Sequence, residues 1–204
     1  MNLKRHWEAI YTAKQPTEVS WYQAEHVRSI ELLREAGAGP ETGIIDVGGG
    51  DSTFVDAVVI ARLGRVTVLD ISAVALERAR ARLGSRAGEV IWLEADVTRA
   101  VIPAHAFDVW HDRAVFHFLT QPDDRARYVA AAEAALRPGG TLLISTFALD
   151  GPLRCSGLEV VRYSAEDLSR ALGNAFVLER DFVDIHRTPS GKEQRFTVAV
   201  FQRR

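Results

Sequence analysis

The chain has 204 residues, 47% apolar and 25% charged, which suits one folded domain with a short appendage. A net charge of −2 excludes an overall basic field for nucleic acid or anionic lipid. Cys155 is the single cysteine, which excludes an intrachain disulfide and a cysteine zinc cluster, and no metal is expected.

The segment from Met1 to Trp7 lacks the apolar core of a signal peptide, and no apolar run reaches the ~18 residues that span a bilayer. A cytoplasmic location without a membrane partner is expected. Trp7, Ile10 and Tyr11 mark one amphipathic helical face, and Val27, Ile30, Leu32 and Leu33 another, with Trp21 and Tyr22 between them. Residues 1–40 thus read as a helical cap lying across the strand ends, where Trp21 and Tyr22 could meet a substrate. Residues 41–204 read as one α/β domain.

In that domain Gly43–Val47 reads as a strand and Thr53 to Arg62 as a helix. Arg65–Asp70 is the next strand, and Ser72 caps a helix over Ala73–Leu83 that Gly84 stops. Glu89–Leu93 and Phe107–His111 read as strands three and four. Pro122 opens a long helix to Leu136, which Pro138-Gly139-Gly140 ends, and Thr141–Phe147 is a fifth strand. Ser164 with Asp167 forms a capping box for a helix to Leu172. Ala175–His186 and Glu193–Phe201 flank Thr188-Pro189-Ser190-Gly191, a hairpin signal that makes the last two strands antiparallel.

The stretch Asp46-Val47-Gly48-Gly49-Gly50-Asp51-Ser52 joins a buried strand to a helix through consecutive glycines, which let a ligand approach the backbone. Gly48 and Gly50 match the first two glycines of a dinucleotide fingerprint, but Thr53 stands at the third position. Asp70 ends the second strand where an acid can bind two ribose hydroxyls, a feature of both dinucleotides and S-adenosylmethionine. Asp46 beside the turn would repel a pyrophosphate and suits a cationic sulfonium ligand with an ammonium group. Asp96 follows the third strand, placed to accept from an adenine amino group.

Asp46-Val47-Gly48-Gly49-Gly50, Asp70, Ala95-Asp96-Val97 and Leu136–Gly140 resemble the ordered motifs of class I S-adenosylmethionine-dependent methyltransferases. The resemblance implies a Rossmann-like, mostly parallel sheet with an antiparallel C-terminal hairpin. It implies S-adenosylmethionine as cofactor, S-adenosylhomocysteine as product, and residues 41–204 as the methyltransferase domain. It places Gly48, Gly49 and Gly50 beside the methionine part, Asp46 near its ammonium, Asp70 and Ile71 at ribose, and Asp96 and Val97 at adenine. Ser52 stands where many members carry a further glycine.

The segment from Phe107 to Phe118 resembles that of thiopurine or thiol-type methyltransferases, and also that of lysine methyltransferases acting on citrate synthase and elongation factors. In the family this region faces the methyl group. His111 is therefore expected at the cofactor and, with Asp112, as a catalytic base pair. Arg113 and His117 are substrate-side residues on the same reading, and Arg154 is another, on the irregular segment Leu149–Glu159 expected to close over the site. For Arg113 an ion pair with Asp112 or Glu133 is the competing role, and for His117 it is helix capping or packing.

The expected function is methyl transfer to a small-molecule, thiol-like nucleophile. The alternatives are protein-lysine N-methylation, NAD(P)-dependent oxidoreduction and a non-catalytic cofactor-binding protein. Nucleic acid is an unlikely partner, because no Asn/Asp-Pro-Pro-aromatic motif or basic recognition domain is present. The sequence carries no signal for oligomeric state.

Overall fold

Strands rich in branched apolar residues and buried on both faces build the centre of the molecule, as a covered parallel sheet requires. The computed structural model describes residues 2–204. Helix α1 (Leu3–Ala13) starts at Asn2, whose side chain accepts from Arg5 N at 3.0 Å, and α2 (Val27–Glu35) follows an irregular connection. The alternation then runs β1 (Gly43–Val47), α3 (Phe54–Ala61), β2 (Arg65–Asp70), α4 (Ala73–Leu83), β3 (Ile91–Glu94) and β4 (Phe107–Arg113). It continues through α5 (Pro122–Ala135), β5 (Leu136–Phe147), a short hairpin of β6 (Arg154–Cys155) and β7 (Leu158–Glu159), and α6 (Ala165–Leu172). The chain ends in the long hairpin of β8 (Phe176–Arg187) and β9 (Glu193–Arg203).

The seven-stranded sheet has the order β3-β2-β1-β4-β5-β9-β8. Its first five strands are parallel, and β9 runs antiparallel to both β5 and β8. This is the expected Rossmann-like sheet with a C-terminal hairpin. The strand order reverses between β1 and β4, the crevice where open α/β sheets take ligands.

Side-chain alternation along each strand splits the core into two layers. Ile44, Val68, Val109 and Leu143 pack with Ile30 and Leu33 of α2 and with Phe54, Val55 and Val58 of α3. On the opposite face Ile45, Leu69, Trp110 and Leu142 pack with Tyr128 and Ala132 of α5 and with Leu168 and Leu172 of α6. Each such fully buried large apolar side chain stabilises the fold by roughly 1.5–3 kcal/mol.

Four local expectations change. Helix α2 lies on a sheet face as part of the core, so only α1 and the connection after it cover the strand ends. Strand β4 runs on to Arg113, because Arg113 still pairs with Ser145 of β5. Leu136 is already paired with Phe107, and an irregularity in the register separates this bridge from the main ladder. The segment Leu149–Glu159 is not wholly irregular, since it folds β6 onto β7. Among the described residues no helix is long and apolar enough to cross a membrane.

Candidate active site

The chain leaves β1 through Gly48 at φ +65° and Gly50 at φ +52°, backbone that a side chain strains. Both positions are also approached closely. A Cβ on Gly48 would lie 2.0 Å from Val115 Cγ2, and one on Gly50 would lie 2.6 Å from Tyr11 Oη. At Gly49 the missing Cβ makes room for the Asp46 carboxylate, whose Oδ2 would be 2.3 Å away.

Asp46 sits under the turn and accepts from His111 Nδ1 at 2.7 Å, while His111 Nε2 lies 3.0 Å from Ser29 Oγ. A carboxylate partner fixes the proton on Nδ1, so Nε2 accepts from the serine hydroxyl. The imidazole stacks on Phe54 with centroids 4.1 Å apart. Both ring nitrogens are thus engaged within the protein.

Asp70 ends β2 in a buried position and accepts from Ser72 N at 2.8 Å. Burial, with the nearby Asp46 and Asp51 charges, pushes its carboxyl up to about 7. Ser72 caps α4 by accepting from Ala75 N at 3.2 Å. Glu8 of α1 adds a second cap, accepting from Ala73 N at 2.9 Å, Val74 N at 3.2 Å and Ser72 Oγ at 3.0 Å. A carboxylate on the α4 N-terminus therefore clamps α1 beside Asp70. Glu8→Ala is expected to cost about 1 kcal/mol of stability in urea titrations, with faster hydrogen exchange confined mainly to α1. Unchanged α1 exchange would exclude this clamp.

Beyond β4, Asp112 organises the turn from within the core. It is fully buried and accepts from Val115 N at 2.9 Å, Phe116 N at 3.1 Å and Tyr128 Oη at 2.6 Å. Trp110 Nε1 donates to the same phenol at 2.9 Å. Between these anchors Ala114 takes φ +73°, a left-handed conformation that costs a residue with a Cβ roughly 1–2 kcal/mol. The turn directs Arg113, Ala114 and Val115 into one cavity.

That cavity holds about 120 Å³ at the carboxyl ends of β1 to β4. Gly48, Asp70, Ile71, Asp96 and Val97 line its floor, and Trp7, Tyr11, Trp21 and Phe118 roof it. Trp7 meets Phe118 edge-on at 5.1 Å and Trp21 at 5.7 Å between centroids. Asp96 is held in place by Thr98, whose N and Oγ1 donate to it at 2.9 and 2.7 Å.

A family model described as a methyltransferase domain matches residues 44–140, the span that carries the glycine turn, both strand-end acids and β4. Residues 44–140 carry a methyltransferase domain, on the fold of the class I S-adenosylmethionine-dependent methyltransferases. S-adenosylmethionine is accordingly its cofactor. No curated protein matches the sequence. Among solved structures, one described with the conversion of a disulfide bond into a thioacetal group during echinomycin biosynthesis is 20% identical, with a TM-score of 0.78. The alignment covers 99% of this chain and 92% of that one. The Burkholderia thailandensis 1,6-didemethyltoxoflavin-N1-methyltransferase, with S-adenosylhomocysteine bound, is 21% identical over 98% of this chain and 87% of its own, with a TM-score of 0.71. The [4+2]-cyclase SpnF is 16% identical over 98% of this chain and 92% of its own, also with a TM-score of 0.71. At these identities the likeness is one of fold.

The donor set of the methyltransferase fits this cofactor. Carboxylates close β2 and β3 at the cavity floor, and the glycine turn carries acids, Asp46 and Asp51, where a dinucleotide would need positive or neutral groups for its pyrophosphate. Of the predicted cofactor residues, Gly48, Asp70, Ile71, Asp96 and Val97 line the cavity, while Asp46 and Gly49 line a smaller space behind it. Gly50 lies beneath the Tyr11 hydroxyl.

Several expectations for the methyltransferase need correction. His111 and Asp112 do not line this cavity: register places His111 against Asp46, where it lines the smaller space behind with Asp46 and Gly49, and turns Asp112 toward α5. Arg113 does line the cavity, and it pairs with neither Asp112 nor Glu133. Tyr22 lies outside the main cavity, although Trp21 is inside it.

His117 is fully buried in a single turn before α5, packed between Phe118 and Phe147, with Phe147 N donating to its Nδ1 at 3.3 Å. Arg154 is exposed on the β6–β7 hairpin and bonds Gly157 O at 3.0 Å, while its neighbour Cys155 lines the cavity. Residues absent from the expected site are Trp7, Tyr11, Val115, Phe118 and Leu119. The spacing of Trp7 and Tyr11 already marked a common face; what that face covers depends on where α1 docks.

Proposed function

We propose that this methyltransferase acts on a small-molecule nucleophile, thiol-like in character, held between the glycine turn and the aromatic roof. The observation that carries this reading is the shared cavity. The floor residues Gly48, Asp70 and Asp96 and the roof residues Trp7, Tyr11, Trp21 and Phe118 bound one space of about 120 Å³. The Burkholderia thailandensis relative in fold, with its 1,6-didemethyltoxoflavin bound, supports a small acceptor, and the disulfide-to-thioacetal relative supports sulfur. A lysine-bearing protein segment would need an open channel in place of this roof.

When bound, S-adenosylmethionine supplies an electrophilic methyl group on a sulfonium. Asp70 with Ile71 would hold its ribose, Asp96 with Val97 its adenine, and Gly48 would admit the methionine part to the backbone. Asp46, kept in place by His111 and Ser29, sets negative charge beneath the turn. The roof excludes water and aligns the acceptor, which is where an in-line displacement gains most.

Neither His111 nor Asp112 takes a proton from the acceptor in this arrangement, so the acceptor enters already deprotonated or needs no base. Burial raises the Cys155 thiol above its ordinary range, which keeps it protonated and a spectator. Calorimetry with S-adenosylhomocysteine and NAD, followed by mass spectrometry of thiols incubated with S-adenosylmethionine, tests the reading. S-adenosylhomocysteine is expected to bind and a thiol to gain one methyl. Binding of NAD alone would overturn the cofactor, and methylation only of proteins would overturn the acceptor.

A further inference from the structure

Arg113 is the one basic side chain among the described residues that line this cavity. Its Nη1 donates to Trp21 O at 3.1 Å, its guanidinium lies 5.0 Å from the centre of the Phe196 ring, and its Nη2 is buried without a hydrogen-bond partner. Among the described residues no carboxylate forms an ion pair with it. Asp184 is the acid whose charge reaches it, and the neighbouring Cys155 is held as a thiol. His26, His117 and His186 also feel its charge, and each is driven toward neutrality, chiefly by burial. Burial lowers the guanidinium only to about 10, so it remains cationic at neutral pH.

Arg113 is half-buried as a residue, but a guanidinium nitrogen shut from solvent without a counter-ion is costly unless something else supplies the charge. The stem shares the glycine-turn space with Asp46, Gly48 and Gly49, yet its guanidinium reaches away from the strand-end cofactor residues. Those lie on β1, β2 and β3, whereas Arg113 leans over β5 toward Phe196 of β9, beside Trp21 and Cys155. In a doubly wound sheet that is the acceptor half of the crevice.

Building on the small-molecule reading above, we propose that Arg113 selects the methyl acceptor by binding a carboxylate or comparable organic anion that the acceptor carries. Trp21 O holds one arm of the guanidinium, the Phe196 ring supports its face, and Nη2 is left to pair with the anion. The cavity thus recognises an acceptor with an apolar body, which fits under the aromatic roof, and one negative group.

Benzoate and benzamide, matched in shape and differing in charge, are the probes, titrated into the protein loaded with S-adenosylhomocysteine. Benzoate is expected to bind the unaltered protein at least tenfold more tightly than benzamide. Arg113→Met, which keeps the stem over Phe196, is expected to abolish that preference, and Arg113→Lys to retain part of it. Circular dichroism and thermal unfolding report whether each variant is folded. An absent preference, or one that survives in Arg113→Met, overturns the proposal.

If Arg113→Met instead weakens S-adenosylhomocysteine at least tenfold and leaves the benzoate preference intact, the guanidinium serves the cofactor carboxylate and the proposal is overturned as well. Failure of the unaltered protein to bind S-adenosylhomocysteine marks failure of the methyltransferase reading. The benzoate comparison is then made on the unliganded protein, and it still decides the role of Arg113. Thiophenol and thiosalicylate, compared as methyl acceptors, extend the test to turnover: a tenfold preference for thiosalicylate in kcat/KM is expected, and it should vanish in Arg113→Met.

Discussion

Replacing Asp112 with alanine is expected to cost about 3 kcal/mol or more, enough to consume a large share of a domain's roughly 5–15 kcal/mol. The reason is the number of groups it serves in a dry site. Val115 N, Phe116 N and the Tyr128 hydroxyl all lose their acceptor, and the last two are buried away from water. Ala114 also loses the anchors that hold its left-handed turn. Ala114→Gly in the Asp112→Ala background is therefore expected to recover about 1 kcal/mol, because glycine takes that conformation without strain. Tyr128→Phe should cost less, about 1–2 kcal/mol, since Trp110 Nε1 and one carboxylate oxygen lose a partner but the backbone clamp survives. Urea midpoints measure all three. An Asp112→Ala loss below 1 kcal/mol would sink the clamp.

Asp70→Asn is expected to weaken S-adenosylhomocysteine binding by about a hundredfold or more, the loss of two hydrogen bonds to a charged group at roughly 1.5–3 kcal/mol each. The same change should stabilise the unliganded protein. Burial raises the Asp70 carboxyl from 3.8 to about 7, so between these pH values the folded chain binds a proton that the unfolded chain does not. Stability from this group is then present below pH 4 and is lost as pH climbs to 7, by up to about 1.4 kcal/mol per unit. Asparagine removes that slope while its amide oxygen can still accept from Ser72 N. Relative to wild type, Asp70→Asn should gain stability progressively from pH 4 to pH 7 and hold the gain above it. In wild type, S-adenosylhomocysteine affinity should rise through pH 7, as the ionised acceptor forms, and then level off. Calorimetry across pH 5.5–8.5 reads both effects, and a pH-independent affinity in wild type would refute the assignment of Asp70.

Such trade-offs are common where a site is built against the preference of the fold. Asp70 is buried near Asp46 and Asp51 for the sake of a ligand, whereas Asp112 is buried for the sake of the chain. The two carboxyls look alike in sequence, each at the end of a strand. They differ because Asp70 opens on the cavity and Asp112 is enclosed by its donors.

The floor of the site is legible in the sequence because it is local. A strand that ends in Gly48, Gly49 and Gly50 must turn there, and Asp70, Ile71, Asp96 and Val97 follow neighbouring parallel strands that end at the same edge. Spacing alone puts such residues together. His111 was harder, since nothing in one strand names the neighbour that claims its side chain, and His117 and Arg154 lie off the main sheet, in a turn and on the β6–β7 hairpin, whose docking no local spacing sets. His111 and Arg113 share a face, yet one is drawn to Asp46 and the other into the cavity.

Hydrophobic period, glycine turns and strand-end acids act over a few residues, and so the cofactor class, the parallel sheet and the antiparallel ending are written locally in the chain. That β9 inserts between β5 and β8, that α1 is clamped by Glu8 to form the roof, and that Arg113 stands without an ion-pair partner beside it emerge with the folded chain. Those facts come from partners tens to hundreds of residues apart, such as Glu8 with Ala73 and Arg113 with Trp21. Their pairing is set by packing of whole elements, and no local pattern encodes it.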